Sequence, residues 1–395
     1  MTVAAASALT PGRRVAGRHA AIVGGSLGGL AAAHALEKTG WSVDVYERSP
    51  TELRNKGSGL GFVHVPSWER LTQRPMMRRQ QRASRAQGSF YYGDLWGYLY
   101  DGLAQNENVK VHLGKTITEL QGTVEAPIIN KTPYDLVVLV DGGFSALRHH
   151  VLGADIKPEY AGYVVWRGGV PASKLSPELQ SNLRYLEGVY KSDVLKMAKD
   201  NGDDLWTFGT FVATPESDVE KYWNKDKDGQ SRHGSSQKNS VVPDWFLSHM
   251  KQHFSNVPHL VPLMEQIVQK GELTPHPQYE FGNIDQVHKG RVLLLGDAAH
   301  MASPRTAVGA HTAILDALAL QEAMAPLLQT SAEAFNDKKK NAQLIDRALR
   351  WYSRDGVSHA QQLYARTREV SQEFVPEGKI LSPEAIYAEE QQASY

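Results

Sequence analysis

The stretch "RHAAIVGGSLGGLAAAHALEKTGWSVDVYERSP", Arg18 to Pro50, constrains this chain more than any other. It reads as an apolar strand, a Gly-rich turn, a helix of small residues and a second strand. Strands joined through a helix of that length pair in parallel, because only a crossover can bring the chain back to the same edge. The turn lies where a dinucleotide fingerprint belongs. Gly24 permits the tight bend, a small residue near Ser26 lets the backbone approach a pyrophosphate, and Gly28 and Gly29 allow close helix–strand packing. The helix N-terminus offers N–H groups and the positive end of its dipole to phosphates. Ser26 stands where the strict pattern has its second glycine. Glu47 closes the second strand at the roughly 20-residue spacing from which a carboxylate accepts hydrogen bonds from a ribose. The plain alternative is a tight turn that binds nothing.

Further strands are expected in "NVKVHLG", "YDLVVLVDG", "AGYVVWRGGV", "DLWTFGTFVATP" and "GRVLLLGD". Helices are expected in "VPDWFLSHMKQHF", "LVPLMEQIVQKG", "HTAILDALALQEAMAPLLQ" and the charged stretch from about Lys338 to Glu373. The polar run "NKDKDGQSRHGSSQKNS" has the composition of a surface loop. At 395 residues the chain is long for one core. The order of elements suggests a nucleotide-binding domain built from separated pieces with a second sheet inserted. The expected divisions are a leader over 1–17, a cofactor domain over 18–70, 88–157 and 283–330, a substrate domain over 71–87 and 158–282, and a helical region over 331–395.

Lys and Arg number 43 and so do Asp and Glu, which leaves no overall electrostatic case for nucleic acid or an anionic membrane. With no cysteine, disulfides, cysteine metal sites and thiol catalysis are excluded, and a reducing compartment, the cytoplasm, is expected. The Arg-containing, acid-free leader faintly suggests an organelle address instead. No apolar run approaches the roughly 18 residues that would span a bilayer. No metal site is expected, since His300 lacks partners at metal-ligand spacing.

Two more apolar runs end in glycine and aspartate. Leu136 to Val140 leads into "DGGFSALR", with Asp141, Gly142, Ser145 as a possible cap and Arg148 a turn further on. Val292 to Leu295 leads into "GDAAHMASP", with Gly296, Asp297 and Pro304 before a helix. An all-apolar strand reads as covered on both faces, so a carboxylate at its end needs a specific partner. Each turn alone has a structural explanation. Three of them in this order are far more specific.

In these motifs, from about Ala20 to Leu327, the chain resembles the group A flavoprotein monooxygenases of the para-hydroxybenzoate hydroxylase type, and within them the dihydroxypyridine hydroxylases. The resemblance implies an α/β (α+β) fold: a Rossmann-like FAD-binding domain, an inserted mixed β-sheet substrate domain and a helical C-terminus. It implies that Gly24, Ser26, Leu27, Gly28 and Gly29 surround the FAD pyrophosphate, with Glu47 and Arg48 at the adenosine ribose. Asp141 and Gly142 would serve FAD and NAD(P)H together, and Gly296 and Asp297 the ribityl chain. Pro304 would lie beside the isoalloxazine ring, and Ala307, Val308, Gly309, Ala310 and His311 would face its pyrimidine edge. The implied reaction consumes NADH or NADPH and O2, and a flavin C4a-hydroperoxide hydroxylates a small aromatic or hydroxypyridine-like substrate. A homodimer is the expected assembly.

Trp166, Arg167, His276 and Pro304 are the expected substrate-pocket residues, with His276 and Tyr279 as catalytic candidates able to reach a substrate hydroxyl or ring nitrogen. Core packing, a surface cation and a structural histidine are their plain readings. In "RPMMRRQQRASR", Arg74, Arg78 and Arg82 share a helical face, either for NAD(P)H phosphates or as a solvated surface. The chain departs from the family in several places. Leu139 and Val140 stand where Gly-Ala is usual before Asp141, His311 where Asn is common and Ala307 where Gly is common. The helix in "YYGDLWGYL" lacks the arginine many relatives carry at its start. The short Gly61–Gly88 interval suggests a reduced second sheet. A flavin oxidase or dehydrogenase on the same scaffold, or a non-catalytic FAD-binding protein, is the alternative; a halogenase is disfavoured, as the Trp-x-Trp-x-Ile-Pro signature is absent.

Overall fold

The opening stretch folds as its pattern requires. In the computed structural model β1 (His19–Val23), α1 (Leu27–Lys38) and β2 (Ser42–Glu47) form a parallel βαβ unit with Ala20 opposite Val43 and Val23 opposite Tyr46. The structure describes residues 18–54, 59–75, 87–184, 194–197, 205–225, 231–236, 246–248, 251, 260–269, 273–282, 284–304, 308–330 and 337–373. The leader, Arg78, Arg82, Ala307 and most of the helix expected around Trp245 lie outside these residues.

After β2 come β3 (Gly59–His64), α2 (Val65–Thr72), β4 (Gln87–Tyr91), α3 (Tyr92–Leu103) and β5 (Val109–Leu113). A three-stranded meander, β6 (Gln121–Thr123), β7 (Ala126–Ile129) and β8 (Thr132–Pro133), leads into β9 (Leu136–Leu139) and α4 (His149–Leu152). The middle of the chain holds β10 (Glu159–Pro171), α5 (Pro177–Arg184), β11 (Val194–Met197), β12 (Leu205–Ala213), β13 (Trp223–Lys225), β14 (Ser231–Ser236), α6 (Leu260–Gln269) and β15 (Thr274–Glu280). The last part holds β16 (His288–Lys289), β17 (Val292–Leu294), α7 (Gly309–Met324), α8 (Lys338–Trp351) and α9 (Ser358–Glu373).

Six strands make the first sheet in the order β16-β17-β9-β1-β2-β5, parallel except for β16. β9, β17 and β1 after His19 are apolar and buried throughout, as in strands covered on both faces. α1 is buried from Leu27 to Leu36 on every side, between sheet, α3 and α7. Small residues permit that closeness: a Cβ on Gly28 would stand 3.1 Å from Val140 Cγ1 and 3.3 Å from Ala313 Cβ. α8 and α9, in the expected C-terminal helical region, pack against α7. Ile345, Leu349, Tyr352 and Val357 join the first core, because their apolar face lies on α7.

The second sheet is antiparallel, in the order β11-β12-β10-β15. Successive side chains of a strand point to opposite faces, and register fixes which residues share one. Trp166 lies opposite Thr210 and Pro275, Arg167 opposite Gly209 and Thr274, and Val165 opposite Phe211 and His276. One face carries Val164, Trp166, Val170, Val212 and Tyr279 into a second core with Tyr222, Phe246 and Leu263. The other carries Tyr163, Val165, Arg167, Phe211 and His276. Tyr279 belongs to the second core and Val287 to the first, so the two meet near Phe281. β3 and β4 form their own two-stranded ribbon. The polar run expected as a loop contributes β13 and β14, an antiparallel pair, since backbone pairing does not require apolar side chains.

Candidate functional site

Parallel strands place all their C-terminal ends on one edge, and here those ends are Gly24, Glu47, Val140 and Leu295. β1 lies between β2 and β9, so successive connections leave it in opposite directions and open a crevice at its end, the usual ligand position in open α/β sheets. Gly24 adopts φ +110, and a Cβ there would stand 2.2 Å from Val140 O. A Cβ on Gly29 would stand 1.8 Å from Gly24 O, so only glycine lets α1 press onto the turn. Leu27 is buried in the core behind the turn, and Arg48 is exposed beside Glu47.

Glu47 is buried, with Oε2 accepting from Gly25 N–H at 2.8 Å and Oε1 from Ser49 N–H at 2.7 Å. Each oxygen keeps a lone pair for a further donor such as a ribose hydroxyl. At the end of β9, burial raises the Asp141 pKa against hydrogen bonds from Ser145 and backbone N–H groups, and its Oδ1 is buried without a hydrogen-bond partner. Gly142, at φ +91, has open space where a side chain would be.

Asp297 is ringed by protein closely enough that burial raises its pKa, with Asp316 adding to the rise and His300 and Arg148 opposing it. Its side chain is nevertheless exposed. Both facts hold for a carboxylate on the floor of an open crevice. The turn carrying it is tied to α7, where Asp316 Oδ2 accepts from Gly296 N–H at 2.9 Å and lies 2.6 Å from His300 Nε2. Burial opposes charging of His300, but Asp316 outweighs it and the His300 pKa is raised. Pro304 and Val308 to His311 follow, partly exposed, with Val308, whose side chain makes no cap bond, at the N-cap of α7. His311 meets His64 edge-on, ring centroids 5.7 Å apart.

Arg148 joins these loops. It donates to Ala298 O (2.8 Å), Ile156 O (3.2 Å) and Gly143 O (2.5 Å), with its guanidinium 3.6 Å from the centre of the Phe281 ring. Burial lowers its pKa to about 10, against Asp141, Asp155 and Asp297, so it stays charged at neutral pH. Phe281 N–H in turn donates to Met301 O at 2.9 Å. β15, which carries His276, is thereby fixed to the Asp297 loop. Arg148 and Asp316 act here although the sequence marked neither for the site. For Asp316 the available signal was an ionisable residue inside the otherwise apolar middle of α7.

The expected pocket residues separate by face. Trp166 is fully buried in the second core against Tyr222 and Phe246, and Tyr279 packs behind the sheet against Tyr160 and the edge of Phe144. Neither shares a face with Arg167 and His276. Burial lowers the pKa of both Arg167 and His276, and the nearby Arg167 charge helps push His276 down to about 4.

The residues fit a dinucleotide flavin: a glycine cradle, the N-terminus of α1 without a cap bond from its N-cap side chain, an unpartnered Asp141 oxygen and an accessible Asp297 carboxylate line one edge. Residues 22–51 match the family described as NAD(P)-binding Rossmann-like domain, and residues 256–341 that described as FAD binding domain. The chain is 27% identical to 2,6-dihydroxypyridine 3-monooxygenase of Paenarthrobacter nicotinovorans, over 76% of this chain and 81% of that protein. It is 25% identical to 6-hydroxynicotinate 3-monooxygenase of Pseudomonas fluorescens, over 75% and 80%. In fold it resembles Klebsiella pneumoniae HpxO, solved with FAD and uric acid, at TM-score 0.62 and 19% identity over 95% and 92% of the two chains. Cofactor-edge geometry, both domain matches and relatives aligned along three quarters of the sequence agree: this chain carries an FAD-binding, Rossmann-like domain and is similar over most of its length to hydroxylating monooxygenases.

Proposed function

We propose that this protein uses FAD, NAD(P)H and O2 to hydroxylate a small hydroxylated N-heteroaromatic ring. The observation that carries the reading is the accessible Asp297 carboxylate at the sheet's switch-point edge, with the Arg167–His276 face of the second sheet docked to the same loop through Phe281. Bound FAD supplies the redox and oxygen chemistry, which no side chain can replace. The protein supplies binding, orientation and charge. Glu47 would accept from the ribose, Asp297 from the ribityl hydroxyls, and the N-terminus of α7 would favour negative charge at the ring end.

Arg167 and His276 would form the polar part of the substrate wall. A cation in a partly desolvated site favours the ionised form of a ring hydroxyl, and an ionised hydroxyl makes the ring a better electron donor. His276, held neutral at working pH, can accept or donate one hydrogen bond but is a poor base. Tyr279, on the opposite face, has no part in this wall. The relatives named for dihydroxypyridine and hydroxynicotinate chemistry support this substrate class. No helix among the described residues is long and apolar enough to cross a membrane, and the cysteine-free composition supports a cytoplasmic location.

The test is NADH and NADPH oxidation by FAD-loaded protein with and without 2,6-dihydroxypyridine or 6-hydroxynicotinate. Acceleration by a hydroxypyridine is expected. Protein that cannot be loaded with FAD ends the reading.

A further inference from the structure

Ser26 is at the N-cap of α1, the position where serine ordinarily turns back to accept a backbone N–H of its own helix. Here it does not: no side-chain cap bond forms, and Ser26 Oγ lies 2.7 Å from the Tyr92 hydroxyl at the head of α3. The first N–H groups of α1 are thus left for another acceptor, at the end where the helix favours anions. One turn along α3, Trp96 Nε1–H donates to Gly25 O at 2.7 Å, so two side chains of one helix grip the same loop.

Counting protons shows what this pair can do. Two hydroxyls joined by one hydrogen bond use one of their two protons, and the other remains to donate. Burial pushes the Tyr92 pKa up to about 12, against the bond from Ser26 and aided by the Glu47 charge, so the phenol keeps its proton at neutral pH. Arg54, the cation lying along α3 beside Gly97, is engaged by Asp101 at 2.5 Å and Glu52 at 2.5 Å.

We propose that Ser26 and Tyr92 form a neutral two-hydroxyl clamp that donates to the cofactor's pyrophosphate, in place of a cation at the start of α3. The clamp rests on the FAD-dependent reading above. Its consequence is that dinucleotide affinity at this end depends on hydrogen bonding and the α1 dipole more than on side-chain charge.

The experiment measures FAD and ADP affinity of the flavin-free full chain for wild type, Tyr92→Phe, Ser26→Ala, Tyr92→Arg and Asp297→Ala, at low and high salt. ADP carries the pyrophosphate but no flavin. Tyr92→Phe and Ser26→Ala should each weaken FAD and ADP by the same factor, at most about 10-fold as for a hydrogen bond to a charged group, because the hydroxyl left behind keeps its proton but loses the partner that aims it. Asp297→Ala should weaken FAD alone. Tyr92→Arg should tighten ADP at low salt and lose that gain at high salt, where exposed charge is screened. Thermal melts check folding, and Ser26→Ala carries the test if Tyr92→Phe does not fold. Unchanged ADP affinity in a folded Tyr92→Phe or Ser26→Ala overturns the clamp, as does weakening of FAD without ADP. Wild type that binds neither ligand overturns the functional reading and the clamp with it.

Discussion

In the six-stranded sheet both faces are covered, and what reaches the crevice is a row of strand ends: Gly24, Glu47, Asp141 and Asp297. In the four-stranded sheet one face is packed into a core, and what is offered on the other is the partly exposed pair Arg167 and His276, beside the fully buried Tyr163 and Val165. The first arrangement depends on backbone geometry and on glycines that allow close approach. The second depends on side-chain identity and can be changed without disturbing the scaffold. A protein with a fixed cofactor and an adjustable substrate gains from keeping the two kinds of site on different sheets.

Neighbouring residues break this comparison most sharply. Trp166→Ala should cost about 3–5 kcal/mol of stability by denaturant unfolding, because it empties a fully buried position behind the sheet. Arg167→Met should leave stability near wild type while raising KM for a hydroxypyridine on the order of 10-fold or more. Equal stability losses in both variants would contradict the assignment of faces. Smaller in free energy is Asp297→Ala, expected to raise the FAD dissociation constant about 10- to 100-fold with unchanged circular dichroism, since hydrogen bonds to a charged group contribute about 1.5–3 kcal/mol.

The smallest expected effect lies on the first sheet, away from the crevice. Asp44 lies 2.8 Å from His19 Nε2 and 2.7 Å from His112 Nε2 and accepts from Tyr134 OH at 3.0 Å. Burial alone would raise its pKa, but these bonds outweigh burial and hold it well below the ordinary 3.8. A depressed carboxylate contributes stability above its unfolded pKa and loses it as pH falls toward the folded value. Asp44→Asn should therefore flatten the acid limb of the stability profile below about pH 4 and leave FAD affinity unchanged. An acid limb as steep as wild type would show that the cluster contributes nothing.

The sheet edge proposed to hold the cofactor was legible in the sequence because its geometry is local. A strand, a glycine turn and a helix lie within a few residues of one another, and Glu47, Asp141 and Asp297 each end a visible apolar run. The substrate half was not, for two physical reasons. "GYVVWRGGV" is apolar almost throughout, so the alternation that would separate Trp166 from Arg167 does not show, and their faces follow only from register with His276 and Phe211. Other contacts join distant residues. Ser26 and Tyr92 are 66 positions apart and Arg148 and Ala298 are 150 apart, distances no motif spans. Arg148 was undervalued for the second reason, whereas Tyr279, three positions from His276, falls on the opposite face as soon as Thr274–Glu280 is known to be a strand.

The central claim is that one edge holds the flavin while a separate sheet face presents a hydroxylated heteroaromatic ring for oxygen insertion. The direct measurement is mass spectrometry of the product formed by FAD-loaded protein, NAD(P)H and a hydroxypyridine under 18O2. One labelled oxygen atom in the ring product, with loss of that product in Arg167→Met, is the predicted result. NAD(P)H consumption that leaves the ring unlabelled with every hydroxypyridine tried, all of the oxygen being recovered as peroxide, would contradict it.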